Sequence, residues 1–228
     1  MAIKLFKTFT YAVFISGAML YATQGVADPF TITSQLTGDP RLDNPDNLIV
    51  DVTITGDTTS DTTFWTVDIN SPAHPDIKLD AFFFNIDLDS SDVSFTNFDP
   101  SSWSVTSPAN NAQGSGSADF LFEADSSNPA TDVTNSQDLT FEGILASGFW
   151  DVDFFLNADD ATSSDALLGS FQLGAHLQSL VAADGQSDSG FAVGDYGGNG
   201  EPIPEPMTML LLGAGLAGIS GLRLRKKL

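Results

Sequence analysis

Leu48-Ile49-Val50-Asp51-Val52-Thr53-Ile54-Thr55 is the stretch whose reading decides the fold. Leu48, Val50, Val52 and Ile54 fall on one side of an extended chain, and mostly polar residues fall on the other. A period of two belongs to a strand with one face in a core and one in water. The pattern continues in both directions. Phe30-Thr31-Ile32-Thr33 alternates upstream. Downstream, Trp65, Val67 and Ile69 share a face, and so do Phe82, Phe84, Ile86 and Leu88. Further strands are predicted at residues 103–105, 119–122, 139–141, 149–156, 168–173 and 177–181. In 149–156, Trp150, Val152, Phe154 and Leu156 alternate with Asp151 and Asp153. A helical turn is the alternative for 167–181.

Clusters of Asp, Ser, Asn, Pro and Gly separate these runs, and such residues suit turns. No helical spacing is sustained before residue 160. Nine or ten short strands of this kind predict an all-β body, an antiparallel β-sandwich over residues 28–196. Asp at alternate positions supplies wet faces and guards the edges against intermolecular pairing. One short echo stands out: Phe83-Phe84-Asn85-Ile86-Asp87 against Phe155-Leu156-Asn157-Ala158-Asp159.

The chain of 228 residues has no cysteine, so neither disulfides nor thiol chemistry enter. Its formal charge is −22. Residues 28–203 hold two basic residues, Arg41 and Lys78, against twenty-nine acids, a formal charge of −27 for that region. Such a body repels nucleic acid and anionic membranes and attracts cations. The 18 Phe and 3 Trp of the chain argue for a packed core despite that charge.

The two ends carry addresses. Lys4 and Lys7 precede an apolar run from Phe9 to Leu20, and Gly25-Val26-Ala27 offers the small residues of a cleavage site before Asp28. Residues 1–27 therefore read as a signal peptide for the Sec machinery and signal peptidase. At the other end, residues 197–203 are a Gly/Pro linker. Pro204-Glu205-Pro206 follows, then sixteen uncharged residues at 207–222, then Arg223, Arg225, Lys226 and Lys227. As a transmembrane helix the uncharged run spans about 24 Å. The basic tail places its end on the cytoplasmic side of the inner membrane.

This closing segment, 204–228, resembles the PEP-CTERM sorting signal of Gram-negative exported proteins, through Ile203-Pro204-Glu205-Pro206, the Leu/Gly/Ala-rich span and the basic tail. The resemblance covers about a tenth of the chain. It implies processing by an exosortase near Pro204-Glu205-Pro206. It also implies a membrane-anchored intermediate, delivery to the cell surface or extracellular matrix, and the company of exopolysaccharide.

No catalytic set is legible: there is no Gly-x-Ser-x-Gly, His-Glu-x-x-His or P-loop. His74 and His176 read as solvated or satisfied side chains. Glu123 and Glu142 are the glutamates that glycoside hydrolysis would draw on, but nothing pairs them at a working separation. The one cofactor the sequence allows for is calcium, because Asp87, Asp89 and Asp92 place three carboxylates within six residues. The runs at 159–165 and 184–188 are similar. Trp103, bracketed by loop sequence, is the candidate for stacking on a sugar. The expectation is a non-enzymatic exported protein with a structural or adhesive role. The alternative is a membrane-anchored module binding calcium or carbohydrate.

Overall fold

A computed structural model describes residues 27–38, 47–109, 118–126, 133–162, 169–181 and 187–197. Residues 1–26 of the predicted signal peptide, the transmembrane run and the sorting residues Pro204, Glu205, Pro206, Arg223, Arg225, Lys226 and Lys227 lie outside these. Twelve strands are described: β1 Pro29–Gly38, β2 Ile49–Asp57, β3 Thr62–Ile69, β4 Lys78–Phe84, β5 Val93–Asp99, β6 Trp103–Thr106, β7 Phe122–Ser126, β8 Leu139–Leu145, β9 Ala161–Thr162, β10 Ser170–Phe171, β11 Leu173–Val181 and β12 Ser187–Gly194. One helical turn, α1 Asp153–Leu156, falls between β8 and β9. No helix among the described residues is long and apolar enough to cross a membrane.

Ten strands form one antiparallel sheet in the order β5-β8-β3-β2-β1-β12-β11-β4-β7-β6, and β9 pairs with β10 separately. The all-β antiparallel body is thus as expected, with one refinement: the two layers belong to a single sheet that curls almost shut. Its middle explains the fold-over. β1 and β12 share only the pairs Thr37↔Val193 and Gly38↔Ala192, so the halves diverge from a short ladder. The core proves the closure. Trp65 of β3 and Phe84 of β4 lie five places apart in the sheet order, yet their rings are 4.9 Å apart. Phe95 of β5 meets Phe122 of β7 at 5.3 Å.

The strand that decided the reading behaves as read. Leu48, Val50, Val52 and Ile54 are all buried, as are Trp65, Val67 and Ile69, and Phe82, Phe84 and Ile86. Phe83 and Ala81 point the other way, where Phe120, Phe171 and Phe191 cover them as a second small core outside the sheet. Apolar residues on both faces of β4 therefore mark a strand covered twice.

Several expectations need correction. Residues 149–156 do not form a strand. Asp151 accepts the Asp153 N–H at 3.0 Å through its side chain, and that local bond starts α1. The apparent alternation breaks, because Trp150 and Phe155 are buried while Leu156 is exposed. The strand expected at 119–122 begins only at Phe122. The strand expected at 177–181 is present as the end of β11, and the helical alternative falls. Three strands were missed, the two-residue β9 among them. In β5, Asn97 has φ 56° and the pairing shifts register between Thr96 and Asp99. Phe95 and Phe98, three residues apart, consequently both pack on the core, and the period of two is hidden. β12 is rich in small residues and carries little pattern.

Candidate functional site

A cleft is built where β4 ends. It encloses about 660 Å³ and is lined by residues 85–89, 119–121, 159 and 160. The two halves of the sequence echo meet here. Asn85 Nδ2 donates to the Asp159 carbonyl at 2.7 Å, and the Asp87 N–H donates to the Phe154 carbonyl at 2.8 Å. One half is a strand end and the other a helical turn, so the likeness is of composition and not of conformation.

Asn85 organises the floor. It is buried, and its Oδ1 accepts the Leu121 N–H at 2.7 Å. Its backbone N–H donates to the Gln172 carbonyl at 3.0 Å, and its carbonyl accepts the Tyr196 hydroxyl at 2.7 Å. Gln172 adds a second hub. Its Nε2 donates to the Ala158 carbonyl at 2.7 Å, and its Oε1 accepts the Tyr196 N–H at 3.0 Å. A buried polar network is stable when its groups are paired, and this one ties five chain segments together. Burial pushes the Tyr196 phenol well above its ordinary range, so it stays a neutral donor. Sequence reading missed Asn85, Gln172 and Tyr196. The echo around Asn85 was the only signal.

The cleft rim carries Asp87, Asp89, Asp119, Asp159 and Asp160, all exposed, with Phe120 and Leu121 as an apolar wall. It has many acceptors and no cationic side chain. The predicted calcium set is not assembled. Asp92 is exposed and outside the cleft, and its N–H closes a turn onto the Asp89 carbonyl at 2.9 Å. Among the described residues no group of three or more His, Asp or Glu side chains is placed to hold a metal ion. Exposed carboxylates that repel one another splay into water unless backbone bonds force them together. The Asp pair of the 159–165 run reaches the cleft, while the acidic side chains of 184–188 lie outside the described residues.

Trp103 is corrected as well. Its side chain is 3 % exposed within the main core, so it offers no face to a sugar. The strand's inward phase overrides the loop sequence around it. His74 is structural: it is buried, and its Nδ1 accepts the Val181 N–H at 3.0 Å. His176 Nδ1 lies 2.9 Å from Asp80 Oδ2 on the outer surface of β11 and β4. Glu142 accepts Asn97 Nδ2 at 2.7 Å, Glu123 is buried on β7, and neither lines the cleft. Ala27 and Asp28 are exposed at the start of the body, where the Asp28 carbonyl accepts the Thr58 N–H at 3.1 Å.

The far end of the body is equally well defined. Tyr196 is held by its hydroxyl, by its N–H and by an edge-on contact with Phe155 at 5.5 Å. Beyond Gly197 begins the stretch towards Pro204-Glu205-Pro206. A folded all-β body that releases its chain into a proline-bracketed acid, an apolar run and a basic tail defines a class: an exported protein with a C-terminal sorting signal. Residues 202–226 match the family described as the PEP-CTERM protein-sorting motif. The chain thus carries the signal that marks an exported substrate of an exosortase. No curated protein and no solved structure matches the chain.

Proposed function

We propose that the protein is a non-enzymatic exported body, delivered through its C-terminal signal to the cell surface or extracellular polysaccharide matrix, where it serves structurally or adhesively. The observation that carries this reading is the sorting motif at 202–226, which starts five residues after the fold's last described residue, Gly197. The acidic, lysine-poor surface suits a hydrated matrix and keeps copies apart. On this reading the partners are the Sec machinery, signal peptidase, exosortase and, transiently, the inner membrane. Deleting residues 204–228 changes the destination, and fractionation of the native host reads it. Mass measurement of the mature C-terminus gives a chain lacking Arg225 and Lys226; a retained basic tail overturns processing.

The cleft favours a second reading, a binding module for calcium or carbohydrate. Its exposed carboxylates can accept bonds from sugar hydroxyls. Thermal melts with EDTA and with millimolar calcium test the metal, and retention on neutral polysaccharides tests the sugar. Unchanged behaviour in both removes this reading. Hydrolysis by Glu123 and Glu142 has no geometric support, because neither faces the cleft.

A further inference from the structure

One end of the curled sheet is closed by residues 146–157. Phe155 enters the core between Trp150 at 5.3 Å, Tyr196 at 5.5 Å, Trp65 at 5.7 Å and Phe30 at 6.1 Å. The cap is pinned by the Trp150 N–H to the Ser60 carbonyl and by Trp150 Nε1 to the Asp61 carbonyl. Within the cap Phe149 is 59 % exposed and Leu156 45 % exposed, two of the four large apolar side chains so exposed in the described residues. Leu156 lies against Gly197, the last described residue. Nine residues separate Gly197 from Met207, which begins the apolar run. Fully extended they reach about 35 Å.

From this placement we infer that the cap is a membrane-docking face. Phe149 and Leu156 rest in the headgroup region of the outer leaflet while the tail is embedded. The inference depends on the tail entering the bilayer, as the sorting reading holds. The tether is what makes two side chains sufficient. A short linker holds the cap near the surface at an effective concentration of order millimolar, so a weak contact is occupied. The exposed Asp151 and Asp153 flank the apolar pair, so the face suits a zwitterionic surface and is repelled by an anionic one. Docking also holds the segment after Gly197 beside the membrane, where a membrane-embedded protease works.

The absence of cysteine permits single-site labels. Full-length Ser147→Cys, Asn157→Cys and Ser136→Cys variants are labelled with a fluorophore and reconstituted into phosphatidylcholine vesicles containing nitroxide-headgroup lipid. Ser136 lies in the turn beside His74, at the opposite end of the body. The expected result is at least two-fold stronger quenching at 147 and 157 than at 136. Adding Phe149→Ser and Leu156→Ser should lower it to the level at 136 without changing the melting temperature. Replacing half the lipid with phosphatidylglycerol should weaken it. Protein that floats with the vesicles but shows equal quenching at all three sites overturns the docking and leaves tail insertion standing. Protein that does not float overturns tail insertion and the docking with it. Energy transfer between copies labelled at 157, with no lipid quenching, assigns the cap to a second copy and also overturns it.

Discussion

Asn85 shows what one buried amide does in this chain. Its side chain satisfies the Leu121 N–H and the Asp159 carbonyl, groups from two segments that lack a strand ladder at those points. Asn85→Ala leaves both unpaired, and each orphaned group costs about 1–3 kcal/mol. Urea unfolding should therefore show a loss of roughly 2–4 kcal/mol, with the cleft loops losing hydrogen-exchange protection first. Tyr196→Phe orphans the Asn85 carbonyl alone and should cost about 1–3 kcal/mol. Acidic residues act in the opposite sense. The Asp68 carboxyl is pushed above its ordinary 3.8 by partial burial, then by Asp138 and Asp51. Asp125 is pushed up by burial and then by Asp80. A raised carboxyl binds its proton more tightly folded than unfolded. It therefore adds stability at low pH, and the gain is lost as pH rises through the folded value. The melting temperature should thus rise on acidification from pH 7 into the window just above 3.8. Asp68→Asn together with Asp125→Asn should shrink that rise and stabilise the protein at pH 7 by up to about 1 kcal/mol.

At the scale of elements, β8 meets β3 and Trp150, which precedes α1, around a glycine. Gly143 occupies an inward position of β8, where a Cβ would lie 2.9 Å from Thr63 Oγ1 and 3.3 Å from the indoles of Trp150 and Trp65. The missing side chain is the space those rings use. Gly143→Val should destabilise by about 1–3 kcal/mol through overpacking, seen as a lower urea midpoint with an unchanged slope. Phe155→Ala, which empties the centre of the cap, should cost about 3–5 kcal/mol. Neither consequence was legible beforehand. Residues 149–156 read as a strand because Trp150, Val152, Phe154 and Leu156 alternate with Asp151 and Asp153. The folded chain turns here instead: the Asp151 side chain accepts the Asp153 N–H, a local bond that competes with a strand ladder. β5 escaped notice for a related reason: one left-handed residue, Asn97, moves Phe98 onto the face of Phe95.

For the molecule as a whole, charge is the governing variable. Outer carboxylates find amide and hydroxyl donors in place of lysines: Gln35 and Asn70 serve Asp51, Thr59 serves Asp57, and Asn97 serves Glu142. Such neutral donors solvate each charge but leave the sum uncancelled. Raising salt from 10 to 500 mM should accordingly raise the melting temperature by several degrees, because screening relieves self-repulsion. A flat salt response would show that the splayed carboxylates are already solvated independently.

The sequence alone determined the β class, the core faces of β2, β3 and β4, and the sorting address. Each of these is written in local order, as a period of two or as a linear motif read in an extended chain. Tertiary structure alone decided that the strands form one curled sheet, that Trp103 is buried, and that Asp87 and Asp89 share a cleft with Asp159 and Asp160 while Asp92 stands apart. Those facts depend on which distant segments meet. Asn85, Gln172 and Tyr196 bind backbone groups of segments 14 to 111 residues away, and no local pattern records such a bond.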